Sequence, residues 1–177
     1  DKNRINLIQA YVQKVDTEKK TLFTSSGKDV VYDDLVLAVG STFNKFNWPG
    51  QDLAGVGGLY SLQDLEYMET YTQDAQRAVI VGGGLIGIEM AEMLLSRKIP
   101  VTFLVREKSY WSNVLPAEES AIVNNHIREH HVDLQLGTEL AEILPDEVGR
   151  VRAVTTKDGR TIECQWVGLT AGVHPNI

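Results

Sequence analysis

The chain has 177 residues, 43% hydrophobic and 23% charged, the balance of a globular protein, which excludes a disordered or low-complexity chain. Net charge is -7 with a pI near 5.1, and the 17 lysines and arginines are scattered rather than gathered on one face, which argues against a nucleic-acid partner. No apolar run approaches the roughly 18 residues of a membrane-spanning helix, so no membrane partner is expected, and a lone cysteine, Cys164, allows no internal disulfide and fits a reducing, cytoplasmic compartment.

In chain order, residues 5 to 39 read as short strands: INLIQAYVQKV, the polar turn DTEKK, TLFTS, the turn SGKD, and VVYDDLVLAVG. β-Branched runs separated by such turns predict an antiparallel meander. A Gly-, Asn- and Pro-rich linker follows, STFNKFNWPGQDLAGVGG, and the shift in composition at Pro49 and Gly50 predicts a domain boundary there. Nothing resembling a signal peptide precedes the first strand, and a start at Asp1 rather than at methionine suggests a processed protein or an internal piece.

From Ser61 the pattern alternates between helix and strand. Leu62, Leu65 and Met68 recur at helical spacing in SLQDLEYMETYTQDA, with Ser61 and Asp64 as a capping pair. Strand RAVIVGG, helix LIGIEMAEMLLSRK, strand VTFLVR and a helix over PAEESAIVNNHIREHH, opened by Pro116 and two glutamates, come next. DLQLGTELAEIL, RVRAVTTKDGRTIEC and WVGLTAG read as strands and hairpins. The expected fold is therefore α/β, a Rossmann-like parallel sheet with a β-meander extension.

Ala78 to Val81 run straight into Gly82, Gly83 and Gly84, and a helix opens at about Leu85. A dinucleotide fingerprint needs this strand, loop and helix in this order. Gly82 permits the tight turn, Gly84 lets the backbone approach a pyrophosphate, and Gly87 lets the helix pack closely on the strand. Free N–H groups at Leu85 and Ile86 and the positive end of the helix dipole would receive the phosphates. The plain alternative is a glycine-rich turn without a ligand.

Which nucleotide binds depends on the end of the next strand. Val105 falls where an acidic residue commonly holds the adenosine ribose in NAD-binding versions. Arg106 could instead pair with a 2′-phosphate, which tilts the expectation towards NADPH. Glu107, 20 residues beyond Gly87, could serve as the ribose carboxylate of an NADH site, and a solvated turn over Arg106, Glu107 and Lys108 is the third reading.

Three separated motifs together resemble the pyridine nucleotide-disulfide oxidoreductase family of two-dinucleotide flavoproteins: YDDLVLAVGS at 32 to 41 with WPG at 48 to 50, VGGGLIGIEMAE, and WVGLTAGVHPN at 166 to 176. Family members insert an NAD(P)H domain into an FAD domain. The resemblance thus implies that residues 1–50 are the meander and exit strand of an incomplete FAD-binding domain, 51–172 the NAD(P)H-binding domain and 173–177 a return segment. It also implies an internal fragment that binds FAD poorly by itself, since the family's own FAD glycine loop and late Gly-Asp motif have no counterpart here.

The resemblance sets NAD(P)H along Gly82, Gly83, Gly84, Leu85, Ile86 and Gly87 and against Ala171 and Gly172. It brings Glu89 near the nicotinamide and flavin, although an exposed helix glutamate reads equally plainly. Gly40 stays available for close approach to flavin even though Val39 replaces the family's usual threonine. Leu85 stands where some members carry an aromatic residue over the nicotinamide.

The function so implied is FAD-dependent transfer of hydride from NAD(P)H to flavin and on to an unidentified acceptor, such as a small redox protein, as in ferredoxin or rubredoxin reductases, NADH oxidases and nitrite reductase flavin domains. A non-catalytic NAD(P)H-sensing module is the alternative. A single-nucleotide dehydrogenase would need a substrate acid/base pair, for which no candidate stands out. Apolar surface on an isolated meander would also favour self-association, for example as a homodimer. His126, His130 and His131 lack a zinc pattern, Ser61, Ser112 and Ser120 lack a nucleophile elbow, and Cys164, Trp48, Trp111 and Trp166 read as packing residues.

Overall fold

A β-forming sequence becomes a strand only where a neighbour completes its hydrogen-bond ladder, and the computed structural model, which describes residues 5–177, shows where that happens. The chain parts between Val39 and Gly40 into two compact units.

The first unit is the expected meander: β1 (Val12–Asp16), β2 (Thr21–Thr24) and β3 (Val30–Val31) pair antiparallel in chain order. The β1–β2 turn closes because Asp16 Oδ1 accepts the Lys19 N–H at 2.9 Å and Lys20 takes a left-handed φ of 46°. Residues 32–40, expected to continue as a strand, lie outside any strand, and Val36 and Leu37 are exposed.

The second unit begins with two strands inside the expected linker, β4 (Ser41–Phe43) and β5 (Val56–Gly57). Both form because distant segments complete them. β4 pairs antiparallel with β13 (Val173–Pro175), and β5 pairs parallel with β12 (Trp166–Leu169). A parallel sheet of five strands follows the order β5-β12-β6-β7-β8, with β6 at Ala78–Val81, β7 at Val101–Val105 and β8 at Asp133–Leu136.

Three helices connect these strands. In α1 (Leu62–Thr72) the Ser61 side chain accepts from the Asp64 N–H and the Asp64 carboxylate accepts from the Ser61 N–H, the reciprocal cap expected of that pair. α2 (Leu85–Ser96) is capped by Gly84, which has no side chain to offer. α3 (Ala117–Glu129) starts one residue later than expected, because Pro116 keeps an extended ψ of 160° as its N-cap residue. Between β8 and β12 the chain folds an antiparallel ribbon of β9 (Leu140–Pro145), β10 (Val151–Thr156) and β11 (Thr161–Glu163).

Two cores cover the two faces of the parallel sheet. Ala78, Ile80, Val101, Phe103, Val105 and Trp166 face Met68 of α1, Met90 and Leu94 of α2 and Ile127 of α3. Val79, Val81, Leu104, Val167 and Leu169 face Leu140, Ile143, Val151 and Val154 of the ribbon. Burial of both faces is why β6 is apolar throughout and β7 apolar but for Thr102, rather than alternating. The three layers leave the C-terminal ends of β6, β7, β8 and β12 together along one edge, where an open parallel sheet receives ligands.

Candidate functional site

Strand β6 turns into α2 through three glycines, each with a different constraint. Gly82 has φ +124°, and a Cβ there would stand 2.7 Å from the Thr170 carbonyl oxygen. A Cβ on Gly83 would press on Val105 Cγ1 at 3.0 Å. Gly84, at φ -115°, has room: the nearest heavy atom is 4.0 Å away. Gly87, buried in the first turn of α2, lies so close to β7 and β12 that a Cβ would meet Phe103 Cε1 and Thr170 Oγ1, each at 3.0 Å.

The loop is braced from both sides. Gly82 N–H donates to the Leu104 carbonyl at 3.0 Å, and Thr170 donates both its N–H and its hydroxyl to the Val81 carbonyl. By contrast, the N–H groups of Gly83, Gly84, Leu85 and Ile86 have no protein acceptor among the described residues. Helix α2 therefore presents free donors and its positive dipole end together.

Gly83 and Gly84, the first two of these residues, line a cleft of about 480 Å³, a size typical of small-ligand sites. Its floor is Gly82, Gly83 and Gly84, one wall is Arg106 and Glu107, and Ala171 and Gly172 close the far end. Seven of the expected nucleotide residues are thus brought into one cavity. The others are placed elsewhere. Val105 is fully buried beneath Gly83, Leu85 and Glu89 are exposed on α2, Ile86 is half-buried and Gly87 is buried in the helix. Gly40, at φ +72°, accepts from the Asn176 N–H at 3.1 Å and borders the Tyr60 hydroxyl.

Arg106 and Glu107 face each other across the cleft wall. The guanidinium donates to Glu107 Oε1 through Nη2 at 2.9 Å and Nε at 3.3 Å. Glu139, which also lines the cleft, is paired with Lys157 at 2.6 Å. The lining charges are then one cation and two carboxylates.

Sequence reading alone misses Thr138, Glu139 and Leu140 beyond β8, and Trp111 and Asn113 beyond β7. All five follow the C-terminal ends of parallel strands, and that rule, applied to every strand, is the signal that could have found them. Of the three tryptophans read as packing residues, Trp166 is fully buried, whereas Trp48 and Trp111 both pack against the cores and line the cleft. Cys164 lies in the core, where burial pushes its thiol pKa up to about 12. The rings of His126 and His130 meet at 4.4 Å between centroids, tilted by 57°, but no group of three or more metal-ligating side chains exists among the described residues. No helix among those residues is long and apolar enough to cross a membrane.

Comparison with known proteins bears on the family and the fold. Nitrite reductase (NAD(P)H) of Bacillus subtilis is 32% identical over 175 residues, which cover 97% of this chain and 22% of that protein. The nitric oxide reductase FlRd-NAD(+) reductase of Aeromonas hydrophila is 34% identical over 163 residues, 92% of this chain and 41% of that protein. The crystal structure of a ferredoxin reductase from Rhodopseudomonas palustris superposes with a TM-score of 0.89 at 27% identity, covering 97% of this chain and 42% of that one. The chain thus spans less than half the length of the relatives it matches. The family model for pyridine nucleotide-disulphide oxidoreductases matches residues 1–177, and the chain belongs to that family.

Proposed function

We propose that this chain is the NAD(P)H-binding portion of an FAD-dependent oxidoreductase, which passes hydride from NAD(P)H to flavin and on to a second acceptor. The observation that carries the reading is the run of four unpartnered amides, Gly83 to Ile86, at the N-terminal end of α2, with Gly83 and Gly84 lining the cleft. Gly82 and Gly87 allow the backbone packing that puts those amides there. In this reading the pyrophosphate lies on the amides, the adenosine ribose on Arg106 and Glu107, and the nicotinamide end beside Ala171 and Gly172. Bound flavin supplies the two-electron acceptor, while the residues of this chain orient and desolvate the nucleotide.

The Arg106–Glu107 pair, rather than either residue alone, sets the choice of nucleotide. A ribose 2′-hydroxyl can donate to Glu107 with the pair intact, whereas a 2′-phosphate must take the guanidinium from Glu107 and face the carboxylates. The intact pair therefore favours NADH over the NADPH expected from Arg106 alone. Glu89, exposed one turn beyond Gly84, remains available to steer the nicotinamide from outside the cleft.

Residues 1–50 belong, in the same reading, to the flavin domain, 51–172 to the nucleotide domain and 173–177 to the return segment. The β4–β13 ribbon supports this, since it lays the outgoing and returning chain side by side, joined further by Asn44, which donates to the Ala171 carbonyl. Gly40, next to β4, is then a point of approach to flavin. The names of the reductases among the relatives suggest a small redox protein as acceptor.

Two measurements test the reading. Titration of the 177-residue chain with NADH and NADPH should show saturable binding of both, NADH the tighter. The full-length protein, reconstituted with FAD, should oxidise the same nucleotide. A flavin-loaded protein that leaves NAD(P)H unoxidised would overturn the enzymatic reading.

A further inference from the structure

Tyr110 is not part of the cleft lining, yet it touches the one peptide on which the amide array depends. Its ring is almost fully buried, packed edge-on against Phe103 with centroids 5.6 Å apart and lying beneath Gly83. Its hydroxyl donates to the Gly84 carbonyl at 2.7 Å. That carbonyl also accepts from the Gly87 N–H at 3.2 Å and the Ile88 N–H at 3.4 Å, so the tyrosine bond is the shortest of the three.

The Gly84 carbonyl and the Leu85 N–H belong to one peptide unit, which is planar and trans, so the two groups point in opposite directions. A clamp on the carbonyl therefore fixes the direction of the Leu85 N–H, turned away from the buried ring and back along the N-terminal end of α2. A hydrogen bond to the carbonyl also polarises the unit and makes its N–H a stronger donor. Gly84 cannot hold itself, having neither a Cβ nor a capping side chain.

The same residue is tied to α3. The Tyr110 N–H donates to Asn124 Oδ1 of α3 at 2.9 Å, and Asn124 Nδ2 donates to Ser109 Oγ at 2.7 Å. Its neighbour Trp111 takes a left-handed φ of 59°, which turns the chain so that Trp111 and Asn113 line the cleft while Tyr110 stays in the core. The segment carrying Arg106 and Glu107 is thereby latched to the glycine loop through one buried side chain.

The geometry points to Tyr110 as a positioning residue for nucleotide binding, whose hydroxyl aims the Leu85 amide and sets the glycine loop at a fixed distance from the ribose wall. This rests on the nucleotide reading above, and the experiment separates the two. Tyr110→Phe keeps the ring, its packing and its volume and removes only the clamp. The ¹⁵N-labelled 177-residue chain and this variant are compared by thermal unfolding, NADH titration and amide resonances without nucleotide.

The expected result is a midpoint lowered by only a few degrees, NADH affinity weakened roughly three- to tenfold as for loss of one hydrogen bond, and a displaced Leu85 amide resonance while those of Ala153 and Val154 in β10 stay in place. An unmoved Leu85 resonance overturns the clamp, whatever happens to affinity. Affinity within twofold of wild type, with a lowered midpoint, reduces Tyr110 to a packing residue. If wild type itself binds neither NADH nor NADPH, the nucleotide reading fails, while the Leu85 resonance still tests the clamp.

Discussion

Replacing Gly84 by alanine separates folding from ligand binding. The backbone at Gly84 is extended, with φ -115° and ψ 178°, and a Cβ there would be 4.0 Å from its nearest neighbour. As an N-cap, alanine is worse than glycine by about 0.5–1 kcal/mol, and stiffening the unfolded chain returns about 0.4–1 kcal/mol. The two nearly cancel, so the unfolding midpoint should stay within about 2 °C of wild type, given roughly 2–4 °C per kcal/mol in a chain of this size. Binding behaves differently. Gly84 lines the cleft, and a methyl group there holds the phosphate off the amides. Charge-assisted hydrogen bonds are worth about 1.5–3 kcal/mol, so losing one weakens NADH by about ten- to a hundredfold. Gly82→Ala is the contrast. Its φ of +124° and a contact of 2.7 Å with the Thr170 carbonyl make alanine cost about 1–3 kcal/mol in the fold, so midpoint and affinity fall together. Calorimetric titration beside thermal unfolding decides the matter. Gly84→Ala binding NADH within threefold of wild type would refute the placement of phosphate on α2.

Three further outcomes follow from packing and charge. Gly87→Ala brings better helix propensity but presses on Phe103 and Thr170 at 3.0 Å, and the overpacking should win by about 1 kcal/mol, lowering the midpoint by about 2–4 °C; a raised midpoint would show that α2 can lift off the sheet freely. Glu107→Gln releases Arg106 and should raise the NADPH-to-NADH affinity ratio about tenfold, whereas Arg106→Ala should lower it; unchanged NADPH affinity in Arg106→Ala would remove that residue as a 2′-phosphate ligand. Cys164, with its pKa raised from 9.0 to about 12 by burial, should resist a thiol-specific reagent at pH 8 until denaturant is added. Because the folded pKa lies above the unfolded one, the stability held by the neutral thiol is complete below pH 9 and is lost as the pH climbs towards 12, which denaturant titrations at pH 8 and pH 10.5 would detect.

Local chemistry made much of the fold legible. The capping box at Ser61 and Asp64, the buried runs Ala78–Val81 and Val101–Val105, and the glycines of the β6–α2 turn all act within a few residues, and each is found where the sequence implies. The errors share a different cause. Ser41–Phe43 and Val56–Gly57 sit in polar, glycine-rich sequence and become strands only because Val173–Pro175 and Trp166–Leu169, more than a hundred residues away, complete their ladders. Residues 32–40, rich in valine and leucine, are the converse: β propensity without a ladder does not make a strand.

The site divides along the same line. Gly82, Gly83 and Gly84 are legible because a fingerprint is a local demand on φ, on free amides and on space. Thr138, Glu139 and Trp111 are not, because they come from loops beyond β7 and β8 that meet the glycines only when four parallel strands end together. Arg106 and Glu107 were visible as rivals, one for each nucleotide, but adjacency in sequence does not reveal that they bind each other at 2.9 Å. That contact changes the question from which residue is present to what it costs to separate them. Between exposed partners such a pair is worth only about 0.2–1 kcal/mol, less than a guanidinium gains from a phosphate. In the proposed reading, discrimination against NADPH therefore comes from the carboxylates a 2′-phosphate would face rather than from the strength of the pair, and so a change at Glu107 alone should suffice to shift it.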